Sequence, residues 1–285
     1  WGNFPGYGKF VPGKNEDGAL IPQEITEFTN SGVTAGVATV NFSERPFEEF
    51  DGFLMGCSTY GSFSYLKYGP MRLFAQLAQD SDIRVGKVLW VAGHSGPETA
   101  DDSRTHFGIF SPGVTQLFPA GRVINLHPWE HNEVPVLLGA ALATEVPIVV
   151  LHLTRPPILI PDRPALAMPS HFEAARGAYL VRDIDPRRPR GGTVVVQGTS
   201  AMVGVLKILL DIEKLNVKVV CVTSTELFAR QSAAYRAKVF SPADRLDSTV
   251  ITTQARASMR DWLCNPLAER YALSADWDGR WRTGG

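Results

Sequence analysis

The segment GHSGPETADDSRTH, Gly93 to His106, carries two histidines and three acids and almost nothing that packs a core. Imidazole donates, accepts or shuttles a proton near neutral pH. Carboxylates accept hydrogen bonds from hydroxyls. His94, Asp102 and His106 on one loop therefore suit a polyhydroxylated or phosphorylated substrate. Three other readings use the same residues. The loop can be solvated and incidental. It can hold a metal, although His94 and His106 are twelve apart and no HExxH or His-x-His pair is present. It can hold a Ser-His-Asp set built on Ser95 or Ser103, although no GxSxG elbow occurs.

Position favours a site. VGKVLWVA, residues 85–92, is a continuous apolar run, as in a parallel strand covered on both faces. The loop leaves its carboxyl end, where ligands gather in open α/β sheets. RVINL and PIVVLHLT read as two more strands. NEVPVLLGAALA reads as a helix capped near Asn132. PMRLFAQLAQ reads as a helix opened by Pro70, with Leu73, Phe74, Leu77 and Ala78 on one face. GCSTYGSFSY reads as a short strand and loop. Residues 1–30 read as a long loop, and a helix is expected from about Ser43. The proline-rich residues 161–192 read as a surface linker. A second unit follows: strands at TVVVQGT, VKVVCVTS and STVITT, with helices at AMVGVLKILLDIEKL and TELFARQSAAYRAKVF. The first of these helices has Val203, Leu206, Leu210 and Leu215 as its apolar positions. The turn QGTSAM at its start could bind an anion but is assigned no site. The alternation predicts α/β architecture with largely parallel sheets.

The chain has 285 residues, a net charge of −1 and 20% charged residues, with Lys and Arg spread along its length. Nucleic acid and anionic membrane are therefore not expected as partners. No apolar run is long enough to span a bilayer. Cys57, Cys221 and Cys264 show no CxxC spacing, which points to a reducing, cytoplasmic setting without a zinc site. The opening WGNFPGYGKF and closing RWRTGG both look cut, as in part of a longer polypeptide.

The loop resembles the substrate loop of transketolases, in which His-Asp-Ser is followed, after a spacer, by Glu-Asp-Gly-Pro-Thr-His. His94, Asp102 and His106 keep that family's spacing of eight and then four. Thr105-His106 keeps the Thr-His pair. DSR replaces the Asp-Gly-Pro core, and Ser95 stands where the family has Asp. STELFARQSAAYRAKVFSP is similar to the family's C-terminal motif of Glu-Leu-Phe, Gln and Tyr-Arg ahead of a Pro. Thr154-Arg155 resembles the Ser-Arg step that closes its pyrimidine-binding domain. The diphosphate motif, Gly-Asp-Gly with a distant Asn-Asn, is missing from the chain.

The resemblance implies two three-layer α/β/α domains: an incomplete pyrimidine-binding domain over residues 1–160 and a smaller C-terminal domain over 193–285. It implies transfer of a two-carbon ketol unit between sugar phosphates. The cofactors would be thiamine diphosphate and a divalent cation, Mg or Ca, held by an absent diphosphate-binding domain. That domain, on the same enzyme or on a partner subunit, would complete a homodimer or heterotetramer. Glu44, in NFSERPFEEF, is expected to be the cofactor-activating glutamate, with Glu48 and Glu49 competing. The family order is glutamate, helix, then an aromatic loop. Phe63, Tyr65 and Tyr68 would contact the pyrimidine. His94 and His106 would act at the reacting carbon, while Asp102 and Arg155 would bind the sugar and its phosphate. His127 and His131 read as capping or structural, His152 as a core histidine and His171 as part of the linker. Dihydroxyacetone synthase, deoxyxylulose-phosphate synthase and phosphoketolase are near alternatives. A catalytically silent scaffold or regulatory subunit is the distant one.

Overall fold

The computed structural model describes residues 7–93, 106, 108–154 and 158–279. Strands β1 (Met55–Tyr60), β2 (Val88–Gly93), β3 (Val123–Leu126) and β4 (Ile148–Leu153) form a wholly parallel sheet in the order β1-β2-β4-β3. Helices α1 (Glu27–Ala38), α2 (Ser64–Asp80), α3 (Ser111–Thr115) and α4 (Glu133–Leu142) precede or connect these strands. Successive strand residues face opposite sides of a sheet, and β4 divides accordingly. Ile148 and Val150 pack with Trp90, Met71 and Phe74 on the α1 and α2 side. Val149 and Leu151 pack with Leu137 and Ala141 of α4 on the other.

The second sheet, β5 (Ala178–Arg182), β6 (Thr193–Gln197), β7 (Lys218–Val222) and β8 (Ser248–Thr252), has the order β5-β7-β6-β8. β5 is antiparallel to β7, and the other pairs are parallel. One face shares its core with the α4 side of the first sheet, through Val194, Val196, Val219 and Cys221. The other buries Val195, Val220, Val250, Phe228 and Trp262. Both units are thus layered α/β/α. Among the described residues no helix is long and apolar enough to cross a membrane.

Several sequence expectations are corrected. The helix expected from Ser43 is a loop, and the helix of this region lies earlier, at α1. Its inward positions are Ser31, Thr34, Ala35 and Ala38, a face of small residues that hydropathy does not mark. α2 starts at Ser64 rather than Pro70, and it turns Met71, Phe74 and Ala75 inward. Leu73 and Leu77 of the expected stripe face outward. Asn132 makes no side-chain cap on α4. The expected linker contributes the edge strand β5, with Ala178, Tyr179 and Val181 buried, so it is part of the second sheet. Its prolines dominated its composition and hid a short apolar run. TELFARQSAAYRAKVF breaks into α6 (Thr225–Ala229) and α7 (Ala233–Val239), because the Ser232 hydroxyl accepts from the Tyr235 amide and starts a new helix. AMVGVLKILLDIEKL forms α5 (Thr199–Gly204) and a π-helical continuation, Val205–Ile212. It buries Ala201, Met202 and Val205, whereas Val203 and Leu215 are exposed.

Candidate functional site

His94, Asp102 and Arg155 lie outside the described residues. His106 does not, and it marks the carboxyl end of the first sheet. Its ring stacks on Tyr60, the last residue of β1, with centroids 3.8 Å apart and planes 12° apart. Phe63 meets His106 edge-on at 5.6 Å and Tyr60 edge-on at 6.0 Å. The tight turn Gly61–Phe63 ahead of α2 brings these rings together. Tyr65 is exposed and Tyr68 packs edge-on against Phe118, so neither joins the stack.

One residue before Tyr60, the Thr59 hydroxyl donates to the Glu27 carboxylate at 3.1 Å. Glu27 sits in the first turn of α1, where backbone N–H groups favour negative charge. The elements that carry it hold buried polar atoms without hydrogen-bond partners among the described residues: Asn30 Oδ1, one turn along α1, Ser62 Oγ in the Gly61–Phe63 turn, and Ser64 Oγ and Lys67 Nζ in the first turn of α2. Buried polar groups are normally paired. Lys67 is fully buried. Burial holds its ammonium below the usual lysine range, opposed by the nearby Cys57 and Glu27.

Glu44 is elsewhere. It is exposed, in a loop whose Pro46 carbonyl accepts from the Arg84 amide, just ahead of β2. Neighbouring Arg45 pairs with Glu48 at 3.3 Å and also with Glu49. All three acids therefore belong to the amino end of β2. A six-residue strand separates them from the ring stack, about 17 Å at 3.3 Å per residue. Glu27 instead opens α1, which is followed by the Glu44 loop, then β1 and the Gly61–Phe63 turn. An acid at a helix start was the signal in the sequence, masked by the small residues of α1.

A second polar group joins the two sheets. His127 stacks on His152 with centroids 4.4 Å and planes 2° apart. His152 Nε2 lies 3.1 Å from Asn125 Oδ1. Asn125 Nδ2 donates to Glu226 Oε1 at 2.8 Å, and its backbone N–H donates to Oε2 at 3.2 Å. Burial pushes His127 down to about 3, so it is neutral. Burial, and then His127, also lower His152. Burial raises Glu226, against hydrogen bonds from Asn125. His152 is the expected core histidine; His131 is exposed. In a third group, Arg163 is buried against Glu130 at 2.9 Å and Glu133 at 2.8 Å, anchoring the segment ahead of β5. Among the described residues no cluster of three or more His, Cys, Asp or Glu could hold a metal.

No protein-family model matches the chain. Over 231 residues it is 26% identical to transketolase 1 and transketolase 2 of Pasteurella multocida (strain Pm70), covering 79% of this chain and 31% of each relative. The chain thus spans about a third of the curated relatives it matches. Transketolase from Leishmania mexicana matches its fold with TM-score 0.68 at 21% identity, over 93% of this chain and 34% of that one. Transketolase from Campylobacter jejuni matches with TM-score 0.62 at 17% identity, over 95% and 36%. A structure described as a split gene transketolase, inactive beta4 tetramer, matches with TM-score 0.52 at 18% identity, over 90% and 72%.

Proposed function

We propose that this chain, which is related to transketolases in sequence and shares their fold, supplies the pyrimidine-binding and C-terminal part of a transketolase-type transferase. The enzyme would pass a two-carbon ketol unit between sugar phosphates. The observation that carries this reading is the Glu27 corner: a helix-start carboxylate fixed by Thr59, beside the stack of Tyr60, Phe63 and His106.

Thiamine diphosphate, when bound, would supply the electron-withdrawing ring that carbon–carbon cleavage beside a ketone requires. Glu27, rather than Glu44, would hold a proton at a pyrimidine ring nitrogen. Phe63 and Tyr60 would cover the ring and exclude water. His106 would take or give a proton at a substrate oxygen, joined by His94. Asp102 would read a substrate hydroxyl, and Arg155 would grip its phosphate. The diphosphate and its Mg or Ca ion would sit on a diphosphate-binding domain contributed by the same enzyme or a partner subunit, in a homodimer or heterotetramer. Buried free Cys57 and Cys221 suit a reducing cytoplasm.

The test reconstitutes the chain with a diphosphate-binding polypeptide and follows exchange of the thiazolium C2 proton. Glu27→Gln should slow exchange by roughly 10²–10⁴, the usual range for losing a positioned acid–base group. Glu44→Gln should leave it unchanged. The opposite pattern overturns the assignment. Ketol transfer by the chain alone, freed of any full-length enzyme, would overturn the division of labour.

A further inference from the structure

Away from the Glu27 corner lies a cavity between the two sheets. It has a volume of about 400 Å³, within the usual range for small-molecule sites. It opens where the second sheet changes direction. The chain runs from β6 to β7 on one side, then crosses to β8 on the other. The carboxyl end of such a switch point is where open α/β sheets bind ligands. Gln197 ends β6, Thr225 and Glu226 follow β7, and Ser258 and Arg260 follow β8; all line the cavity. Edge strand β3 and α3 close it from the first sheet.

Polar groups of the second sheet line one side of the cavity, and two arginines stand at its mouth, where Asp261 lies 4.0 Å from Arg260. Gln197 is 3% exposed, yet its Oε1 has no hydrogen-bond partner among the described residues. Thr225 Oγ1 accepts from Trp262 Nε1 at 2.9 Å, which leaves its own O–H to donate. The Glu226 carboxylate adds acceptors. Hydroxyls donate and accept at once, so they match such a wall better than an apolar group or a bare cation. Exposed Arg230 and Arg260 line the same cavity. Guanidinium groups grip phosphate through parallel hydrogen bonds.

We propose that this cavity is a second ligand site, for a small phosphorylated polyol, with its hydroxyls against Gln197, Thr225 and Glu226 and its phosphate at Arg230 and Arg260. Ala255, in the segment after β8, donates its amide to the Ile109 carbonyl at 2.7 Å, which ties this end of the second sheet to the first unit.

The test is calorimetric titration of the chain with ribose 5-phosphate, with free ribose and inorganic phosphate as separate arms. Ribose 5-phosphate should bind at least tenfold more tightly than either fragment. Gln197→Met and the paired change Arg230→Ala with Arg260→Ala should each weaken it at least tenfold, while His106→Ala and Arg155→Ala leave it within threefold. The arginines are exposed, so the paired variant should fold even if Gln197→Met does not. Absence of binding at about 10 mM, roughly tenfold weaker than a millimolar affinity, overturns the proposal. So does binding that survives the arginine changes, or that is lost in His106→Ala or Arg155→Ala, since the sugar would then occupy the loop site. Glu27→Gln should not affect this titration, so a failure here is distinct from a failure of the cofactor assignment.

Discussion

Each unit buries one lysine, and the two are treated in opposite ways. Lys218 opens β7, and its ammonium donates to Asp244 at 2.6 Å and to the Lys238 carbonyl at 3.2 Å. Asp244 also accepts from Arg190 at 2.8 Å and from the Ser241 amide at 2.7 Å, closing a capping box on α8 (Pro242–Leu246). Lys67 in the first unit is fully buried; the Cys57 thiol and the Glu27 carboxylate oppose the cost of its burial, but no group among the described residues meets its ammonium in full hydrogen-bonding geometry. A buried charge costs free energy unless it is paired and hydrogen-bonded. The second unit meets that condition and the first does not. The contrast separates a charge that holds the second unit together from one whose burial is left largely uncompensated beside the carboxylate to which the proposed function gives the cofactor.

The largest effect should come from breaking the satisfied pair. Asp244→Asn leaves Lys218 and Arg190 facing a neutral amide and should cost about 3–5 kcal/mol of unfolding free energy, as for removal of one partner of a buried ion pair. Denaturant midpoints measure it. The wild-type pH dependence follows the same logic. Burial works to raise the Asp244 pKa, but hydrogen bonds from Lys218, Arg190 and Ser241 outweigh it and hold the carboxyl well below the ordinary carboxylate range. The folded pKa is depressed, so the stabilisation is full above the unfolded value. It is lost as pH falls from about 4 toward the folded value. Asp244→Asn should flatten that acid limb. An unchanged acid limb would show that the cluster is not the one that titrates.

These two clusters also show what a sequence conceals. The strand runs KVLWVA, PIVVLHLT and VKVVCV could be read because buried parallel strands are continuously apolar. The Tyr60, Phe63 and His106 neighbourhood was half legible: Phe63 and His106 stood in motifs, while Tyr60 did not. Glu27 was hidden because α1 packs through Ser31, Thr34, Ala35 and Ala38, and a helix with a small-residue face has little hydrophobic signature. With that helix unseen, Glu44 was chosen from NFSERPFEEF, a loop that the structure puts ahead of β2 through the Arg84 amide on the Pro46 carbonyl. Asp244 and Lys218 are 26 residues apart, and Arg163 and Glu130 are 33 apart. Pairing at such range depends on topology, which local pattern does not carry.

The smaller effect, and the sharper test of the contrast, is Lys67→Met. Methionine keeps an unbranched stem of similar reach and removes the ammonium, so the packing of α2 on β1 should survive. Burial lowers the Lys67 pKa from 10.5, with Cys57 and then Glu27 opposing the shift. The unfolded chain therefore holds this proton more firmly than the folded one. Stability rises with pH wherever the unfolded state binds more protons. The cost of Lys67 should thus be largest near neutral pH and should fade as pH rises toward 10.5. Lys67→Met should be more stable than wild type at pH 7 by about 1 kcal/mol, the lower end for one buried group without a partner. The gap should shrink steadily in urea titrations taken up to pH 10. In the reconstituted enzyme the same variant should slow C2-proton exchange, because the charge beside Glu27 is gone. A variant that is less stable than wild type by the same amount at every pH would show that Lys67 is an ordinary satisfied core residue. The two lysines would then differ in nothing but their partners' names, and the cost assigned to the Glu27 corner would not exist.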